Sequence, residues 1–299
     1  MKRSVVFLGT PNAAVVVLET LVSQHNVELV ITQPDKKRGR GSALIASPVK
    51  IAAQSHGIPV AHDLGALDDL PPNGERVYIV VAFGRIIPSD VLERYPMLNV
   101  HFSLLPRWRG AAPVERAIMA GDTTTGVCIM QIEPALDTGP VYVRAETAIE
   151  DSDTAEVLTH RLAHMGADLL SKLLASELGS PAPQSGEPTY AHKIESGERH
   201  ISWQGTSTDI WRRIRAIPCY TMINGKRVGL VEVEDLPQTT GEIGVITPEA
   251  VVFAEHGALR LRKVRPEGKN VMAAADWLRG IAQRDQLRCD TQPLPSSNQ

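Results

Sequence analysis

Residues 4 to 23, SVVFLGTPNAAVVVLETLVS, join a short apolar run rich in β-branched residues to an amphipathic helical run. The same order of patterns recurs along the first half of the chain. Further apolar runs follow at 27–33, 77–84, 98–104, 126–132 and 141–149. Strand patterns that alternate with helical patterns predict an α/β fold with a doubly wound, mostly parallel sheet. Such a sheet binds ligands beyond the carboxyl ends of its strands, which here are near 82–84 and 99–103.

The pattern changes after about residue 180. The stretch SPAPQSGEPTYAHK, at 180–193, is rich in Pro, Ser and Gly and predicts a linker. From residue 205 onward, short strand patterns separated by turn signals predict a small β-barrel, with a final helix near 272–283. We therefore expect a first domain at 1–180, a linker at 181–204, a C-terminal β-barrel domain at 205–290 and a disordered tail at 291–299.

Composition excludes several classes of protein. The three cysteines, Cys128, Cys219 and Cys289, are far apart and form no CxxC pair, which argues against a disulfide framework and a cysteine-rich zinc site. His160 and His164 have zinc-compatible spacing but no third ligand, so no metal is expected. The first apolar run ends too early for a signal peptide or a membrane span, and a cytoplasmic location is expected. The Gly-Thr-Pro after the first strand is not GxGxxG, which disfavours a nicotinamide oxidoreductase.

Asn99 and His101 form the centre of the densest polar constellation in the chain. They stand two residues apart in the strand pattern LNVHFSL, so both side chains lie on one face at the strand's carboxyl end. Polar groups in an apolar strand cost burial energy unless they are paired or used, and a satisfied core histidine is the main alternative. Asp137 supplies a third group, because it lies in the turn-rich stretch EPALDTGP at 133–140.

An amide, an imidazole and a carboxylate together suit acyl transfer to an amine. The amide and an imidazolium can stabilise a developing oxyanion, while His101 and Asp137 can move protons. No serine or cysteine is placed as a nucleophile, and the scheme requires no metal.

A longer motif makes the comparison with known families specific. The run NVHFSLLPRWRGAAPVERAIMAGDTTTGVCIMQIEPALDTG, at 99–139, resembles the core of the 10-formyltetrahydrofolate-dependent formyltransferases. Its RWRGAAP and LDTG portions are most similar to the branch that acts on methionyl-tRNA. The resemblance extends from FLGTPN near the start to VRPEGKNVMAAADWLRG near the end. Departures are Phe102, where many relatives have glycine, and Pro218-Cys219-Tyr220 in the second domain.

The resemblance implies a Rossmann-like formyl-transfer domain followed by a barrel like an OB fold. It places Asn99, His101 and Asp137 at the catalytic triplet. It places Ser103, Leu104, Leu105 and Pro106 at the folate-binding segment, and Phe83 and Gly84 are assigned to the same site. The implied co-substrate is 10-formyltetrahydrofolate, and the implied acceptor is initiator methionyl-tRNA.

A basic loop in the first domain matches the part of the family that contacts tRNA. Lys36, Lys37, Arg38, Arg40 and Lys50 crowd together, opposed by Asp35, and the matching family loop meets the acceptor stem. Arginine between glycines suits binding to phosphate or an unpaired base, so Arg40 is expected to insert at the tRNA end. Backbone contacts along the stem are expected from the C-terminal cations Arg260, Arg262, Lys263, Arg265 and Lys269. Solubilising charge is the plain alternative for each of them.

Two further functions remain as alternatives. A relative with the same formyl donor can act on an amino sugar nucleotide or another small amine. A tRNA-binding protein without catalysis is the alternative from a different class. A tRNA-sized partner favours a monomer, and no membrane association is expected.

Overall fold

The computed structural model describes residues 2–37, 44–281 and 287–291. Two compact units are present. The first comprises Met1–Val114, Thr123–Glu150 and Glu156–His192, and the second comprises Glu115–Asp122, Asp151–Ala155 and Lys193–Gln299. The predicted linker at 181–204 is therefore divided between the units, because its residues up to His192 pack within the first.

Eleven of the described strands belong to the first unit. They are β1 (Ser4–Gly9), β2 (Asn26–Ile31), β3 (Lys36–Lys37), β4 (Leu44–Ile45), β5 (Val60–Ala61), β6 (Val77–Val81), β7 (Met97–His101), β8 (Arg109–Gly110), β9 (Thr124–Gln131), β10 (Val141–Ala148) and β11 (Tyr190–Ala191). The first five helices are α1 (Asn12–Gln24), α2 (Pro48–Ser55), α3 (Ser89–Arg94), α4 (Pro113–Ala120) and α5 (Ala155–Leu174).

Seven of these strands form the main sheet, in the order β10-β9-β7-β6-β1-β2-β5. Strand β9 is antiparallel to both of its neighbours, and the other pairings are parallel. The predicted fold class is thus confirmed. The central strands are apolar along their whole length because helices cover both faces; every residue of β6, for example, is buried.

The chain reverses its direction across the sheet between β1 and β6, which creates the crevice where α/β folds bind ligands. The loop after β6 is fixed there by its neighbours. The carbonyl oxygen of Phe83 accepts hydrogen bonds from Thr10 Oγ1 at 2.9 Å and Gln33 Nε2 at 3.3 Å. On one sheet face, Gly166 lets α5 approach closely, since a Cβ there would lie 2.6 Å from Val100 Cγ1.

The second unit contains an antiparallel sheet, the last two described helices and most of α4, because Glu115–Asp122 belong to this unit. Its elements are α6 (Ser207–Ala216), β12 (Cys219–Ile223), β13 (Lys226–Leu236), β14 (Val251–Phe253), β15 (Ala258–Pro266), β16 (Met272–Ala273) and α7 (Ala274–Arg279). The sheet order is β12-β13-β15-β14, and β16 pairs with β15. The final helix is shorter than predicted, because Met272 and Ala273 extend the sheet.

Two short segments join the two edges of this sheet. Residues 244–247 exchange backbone hydrogen bonds with β14. Residues 287–290 then bond both to that segment and to the end of β12, through Ile246 N to the Leu287 carbonyl at 3.0 Å and Asp290 N to the Met222 carbonyl at 2.9 Å. The pairing therefore runs in a continuous ring, which is how a small barrel removes exposed strand edges.

Candidate active site

His101 is the last residue of β7, and its side chain is buried with a fixed orientation. The residue is 5% exposed, and its Nε2 lies 3.0 Å from the carbonyl oxygen of Trp108. A carbonyl oxygen only accepts, so Nε2 carries the proton and donates it. This bond leaves Nδ1 directed away from Trp108 and toward Asp137.

Asp137 faces His101 across the cleft. Its Oδ2 lies 3.7 Å from His101 Nδ1 and accepts a hydrogen bond from the backbone N–H of Gly110 at 2.8 Å. The backbone φ of Asp137 is 50°, a left-handed conformation that costs free energy in a non-glycine residue. The surrounding turn imposes this conformation, and it directs the carboxylate at the imidazole.

Two glycines allow the turns around Asp137 to pack this closely. A Cβ on Gly110 would lie 2.6 Å from the Ala191 carbonyl oxygen, and the φ of Gly110 is 128°. A Cβ on Gly139 would lie 1.9 Å from the Gln131 carbonyl oxygen. Neither position accepts a side chain without displacement of the backbone that carries or contacts Asp137.

Asn99, His101 and Asp137 line one cleft of about 500 Å³. The cleft lies at the carboxyl ends of β6 and β7, as the crevice rule predicts for this fold. Most of its wall is apolar, with a few polar groups, which is typical of sites for small organic ligands. The structure therefore brings together the three side chains that the sequence singled out.

Several lining residues escaped the sequence-based prediction. Ile86, on the loop after β6, is 91% exposed, and Leu136, on the loop before β10, is 61% exposed. Both line the cleft, together with Arg85 and Glu133. Large exposed apolar side chains at a cleft are a signal of ligand contact, but exposure cannot be seen in a sequence.

The residues assigned to folate fall into two groups. Phe83 and Gly84 line the cleft. Ser103, Leu104, Leu105 and Pro106 form a turn that, among the described residues, is not part of the lining. Ser103 Oγ donates to the Arg107 carbonyl at 2.6 Å, and Leu105 is 2% exposed in a cluster with Cys128 and Met130.

This turn carries Trp108 toward His101. The Leu105–Pro106 peptide is cis, and Trp108 has a φ of 63°. The Trp108 carbonyl is the acceptor for His101, so the turn acts on the site through the orientation of the imidazole.

The residues assigned to tRNA contact near the start of the chain differ in their surroundings. Lys36 is exposed, and Lys36 and Lys37 form β3, which pairs with β4. Lys50 Nζ lies 2.8 Å from both carboxylate oxygens of Asp35. Arg38 and Arg40 lie outside the described residues.

Acidic residues on β13 form ion pairs with three of the C-terminal cations. Arg260 Nη1 lies 3.2 Å from Glu234 Oε2, and Arg262 pairs with the same carboxylate, so both lie on one face of β15. Lys263 pairs with Glu232 at 2.7 Å. Arg265 is exposed. Lys269 lines a separate cavity of about 400 Å³ with Lys226, Arg227 and Trp277.

No helix within the described ranges has the length and apolar character needed to cross a membrane. No group of three or more His, Cys, Asp or Glu side chains in residues 2–37, 44–281 and 287–291 is arranged to hold a metal ion.

Comparison with known proteins matches both units. Residues 2–174 match the model of the formyl transferase family, and residues 193–282 match the model of the formyl transferase C-terminal domain. A protein from Jannaschia sp. (strain CCS1) named methionyl-tRNA formyltransferase is 42% identical, over 92% of this chain and 96% of that protein. A protein of the same name from Thermodesulfovibrio yellowstonii is 35% identical, over 94% of this chain and 96% of that protein.

Solved structures support the same fold at lower identity. An N-formyltransferase from Helicobacter canadensis, solved with folinic acid and dTDP-3-aminofucose, superposes with a TM-score of 0.65 at 20% identity. The match covers 87% of this chain and 99% of that one. Taken together with the full-length matches, these likenesses show that the chain belongs to the formyl transferase family.

Proposed function

We propose that this chain transfers the formyl group of 10-formyltetrahydrofolate to the α-amino group of methionine on initiator tRNA, for translation initiation in the cytoplasm. The observation that carries the proposal is the His101–Asp137 pair, held by the Gly110 N–H in a cleft that Asn99 also lines. The acceptor is supported by sequence identity of about 40%, over more than nine-tenths of the chain, to proteins named methionyl-tRNA formyltransferase.

The reaction begins with attack of the neutral amine on the formyl carbon. The new C–N bond places negative charge on the formyl oxygen, which the Asn99 amide and the Nδ1–H of a protonated His101 can stabilise as hydrogen-bond donors, because the Nε2–H already donates to the Trp108 carbonyl. The amine loses its proton to the Asp137 carboxylate, directly or through one water molecule. Collapse of the tetrahedral intermediate breaks the bond to N10 of the folate, and this nitrogen takes up the proton that Asp137 accepted from the amine, directly or through water, so that tetrahydrofolate leaves and the carboxylate is restored.

The arrangement around His101 suits this role. Nε2 donates to the Trp108 carbonyl, and Nδ1 faces the Asp137 carboxylate. Nε2 is therefore occupied as a donor, and Nδ1 is the ring nitrogen that faces the reacting groups. The Gly110 N–H leaves the second carboxylate oxygen of Asp137 available for proton transfer.

The cleft suits a folate in size and polarity. Phe83, Ile86 and Leu136 offer an apolar surface to the aromatic part of the donor, and Gly84 lets the backbone approach it. We assign Ser103, Leu104, Leu105 and Pro106 to the same site through the turn that positions Trp108. Resemblance alone supports the role of Arg40 at the tRNA end, and Lys36, Lys37 and Arg38 would add phosphate contacts.

The cations of the C-terminal unit would contact the tRNA backbone. Arg260, Arg262, Lys263 and Arg265 are accessible along β15, and the partial neutralisation by Glu234 and Glu232 predicts a modest contribution from each of the first three. We propose that the chain acts as a monomer, which light scattering on the purified protein would test.

A formylation assay tests the function directly. The purified protein is incubated with 10-formyltetrahydrofolate and initiator Met-tRNA, elongator Met-tRNA or a dTDP-amino sugar. We expect formylation of initiator Met-tRNA in preference to the other two acceptors. Formylation of the sugar without formylation of Met-tRNA would overturn the proposal.

The variant Asp137→Asn tests the chemistry. Asparagine keeps an acceptor for the Gly110 N–H but removes the charge and the proton acceptor, so kcat should fall by about 100-fold to 10,000-fold. Asp69→Asn, at an exposed site in the same unit, is the matched control and should retain full activity. Full activity of Asp137→Asn would contradict the assigned role.

A further inference from the structure

The segment 181–191 forms a strap across the active-site loops of the first unit. Ala182 forms a two-bond antiparallel bridge with Val141, with N···O distances of 2.9 and 2.8 Å. Farther along, β11 pairs in parallel with β8. The strap therefore contacts the loop that carries Asp137 at one end and the turn that carries Gly110 at the other.

Gln184 lies between these two attachments. Its Nε2 lies 2.8 Å from the backbone carbonyl oxygen of Asp137 and 2.8 Å from that of Gly139. Its Oε1 lies 2.7 Å from Arg109 Nη2 and 3.1 Å from Arg109 Nε. The Gln184 side chain thus makes four hydrogen bonds, two to the loop that carries Asp137 and two to Arg109, the residue before Gly110.

The chemistry of the partners fixes the orientation of the amide. Two carbonyl oxygens only accept, and a guanidinium only donates, so the NH₂ group must face the carbonyls and the oxygen must face Arg109. The reversed amide would set oxygen against two oxygens and nitrogen against two donors. All four hydrogen-bonding contacts are satisfied in one rotamer of Gln184.

The contacts form a closed ring around Asp137. Gln184 binds the Asp137 carbonyl and Arg109, and Arg109 is covalently joined to Gly110. The Gly110 N–H in turn donates to Asp137 Oδ2 at 2.8 Å. The residue is held by its main chain and its side chain at once, although its φ of 50° is an unfavourable conformation.

We propose that Gln184 is a positioning residue for the formyl transfer, which fixes the loop of Asp137 so that its carboxylate meets His101 and the attacking amine. This inference rests on the function proposed above. Without the amide, the loop loses two hydrogen-bond donors, and fewer hydrogen bonds hold Asp137 in its left-handed conformation. A misplacement of about 1 Å in a reacting group can cost on the order of 100-fold in rate.

Two substitutions separate the contacts of Gln184. Gln184→Ala removes all four contacts. Gln184→Glu keeps the size and the acceptor for Arg109 but removes both donors to the loop. We expect kcat to fall by about 10-fold to 100-fold in both variants, with KM for each substrate changed by less than about threefold. Restoration of wild-type kcat by glutamate would show that only packing or the Arg109 contact matters, and would overturn the proposal.

A double variant tests whether Gln184 acts through Asp137. In the Asp137→Asn background, Gln184→Ala should change kcat by less than about threefold, because the group that it positions no longer takes the proton. A loss as large as in the wild-type background would show an independent structural effect. Glu187→Ala, at an exposed position of the same strap, is the matched control and should behave as wild type.

Hydrogen exchange provides a readout that does not depend on activity. The amides of Gly110, Gln131 and Val141 donate to Asp137 Oδ2, to the Pro140 carbonyl and to the Ala182 carbonyl around the loop that carries Asp137, and they should exchange about tenfold faster in Gln184→Ala than in wild type or Glu187→Ala. Unchanged exchange of these amides would overturn the inference, whichever amine accepts the formyl group. Failure of the wild-type protein to formylate Met-tRNA would instead contradict the proposed function, and the exchange result would still decide the role of Gln184.

Discussion

Gly110→Ala tests whether the backbone at Gly110 positions the Asp137 carboxylate. The new Cβ would lie 2.6 Å from the Ala191 carbonyl oxygen, whereas ordinary van der Waals contact begins at 3.4 Å. The two atoms must therefore separate by about 0.8 Å, against a β8–β11 pairing that fixes both strands. This movement draws the Gly110 N–H away from Asp137 Oδ2.

The size of the effect follows from that hydrogen bond. A bond to a charged acceptor contributes about 1.5–3 kcal/mol, which corresponds to a loss of roughly 10-fold to 150-fold in kcat/KM if Asp137 depends on it. The φ of 128° adds a backbone cost of about 1–3 kcal/mol to the folded state. Melting temperature and initial rates of formylation should therefore both fall.

Gly57→Ala is the matched control. Its φ is 67°, and no atom lies within 4 Å of the added Cβ, so the substitution carries the left-handed backbone cost without a steric clash. We expect a loss of about 1–2 kcal/mol in stability and unchanged kcat/KM. A Gly110→Ala protein that keeps kcat/KM within threefold of wild type, while its melting temperature falls below that of Gly57→Ala, would show that the Gly110 N–H does not control the position of Asp137.

Two predictions concern stability. Burial lowers the pKa of His25 and of His200 below 6.5 in the folded protein. As the pH drops through 6.5, the unfolded chain therefore binds more protons than the folded chain. The free energy of unfolding should decrease there by up to about 1.4 kcal/mol per pH unit for each histidine, and a His25→Gln/His200→Gln variant with an equally steep profile in denaturant titrations would contradict this. Deletion of 287–299 removes the segment that joins the barrel edges and should lower the melting temperature of the second unit. Deletion of 292–299 keeps those bonds, so equal losses in calorimetry would exclude a role for the closing segment.

The alternation of apolar runs with amphipathic helical runs was sufficient to predict the main sheet. β-branched runs buried on both faces and separated by amphipathic helices have few other stable arrangements, and this constraint acts locally along the chain. Asn99 and His101 were predicted for the same reason, because the period of a strand places them on one face. Their association with Asp137 needed the motif, since periodicity gives no information about a partner in a distant turn.

Other features depend on contacts that no local pattern encodes. The stretch 181–191 has the composition of a linker, and its Pro, Ser and Gly residues gave no sign that it would pair with the active-site turns. Gln184 is 47 residues from Asp137 and 75 from Arg109 along the chain. The pairing of Arg260 and Arg262 with Glu234 depends in the same way on the register between β13 and β15.

The sequence by itself determined the α/β fold class, the location of the crevice and the types of side chain available for acyl transfer, because these follow from short-range periodicity and residue chemistry. Only the tertiary structure decided how Asp137 is held, which cations have acidic partners and how the barrel closes. Each of these depends on hydrogen bonds between segments far apart in the chain. Such bonds form only after the core has fixed the positions of both partners.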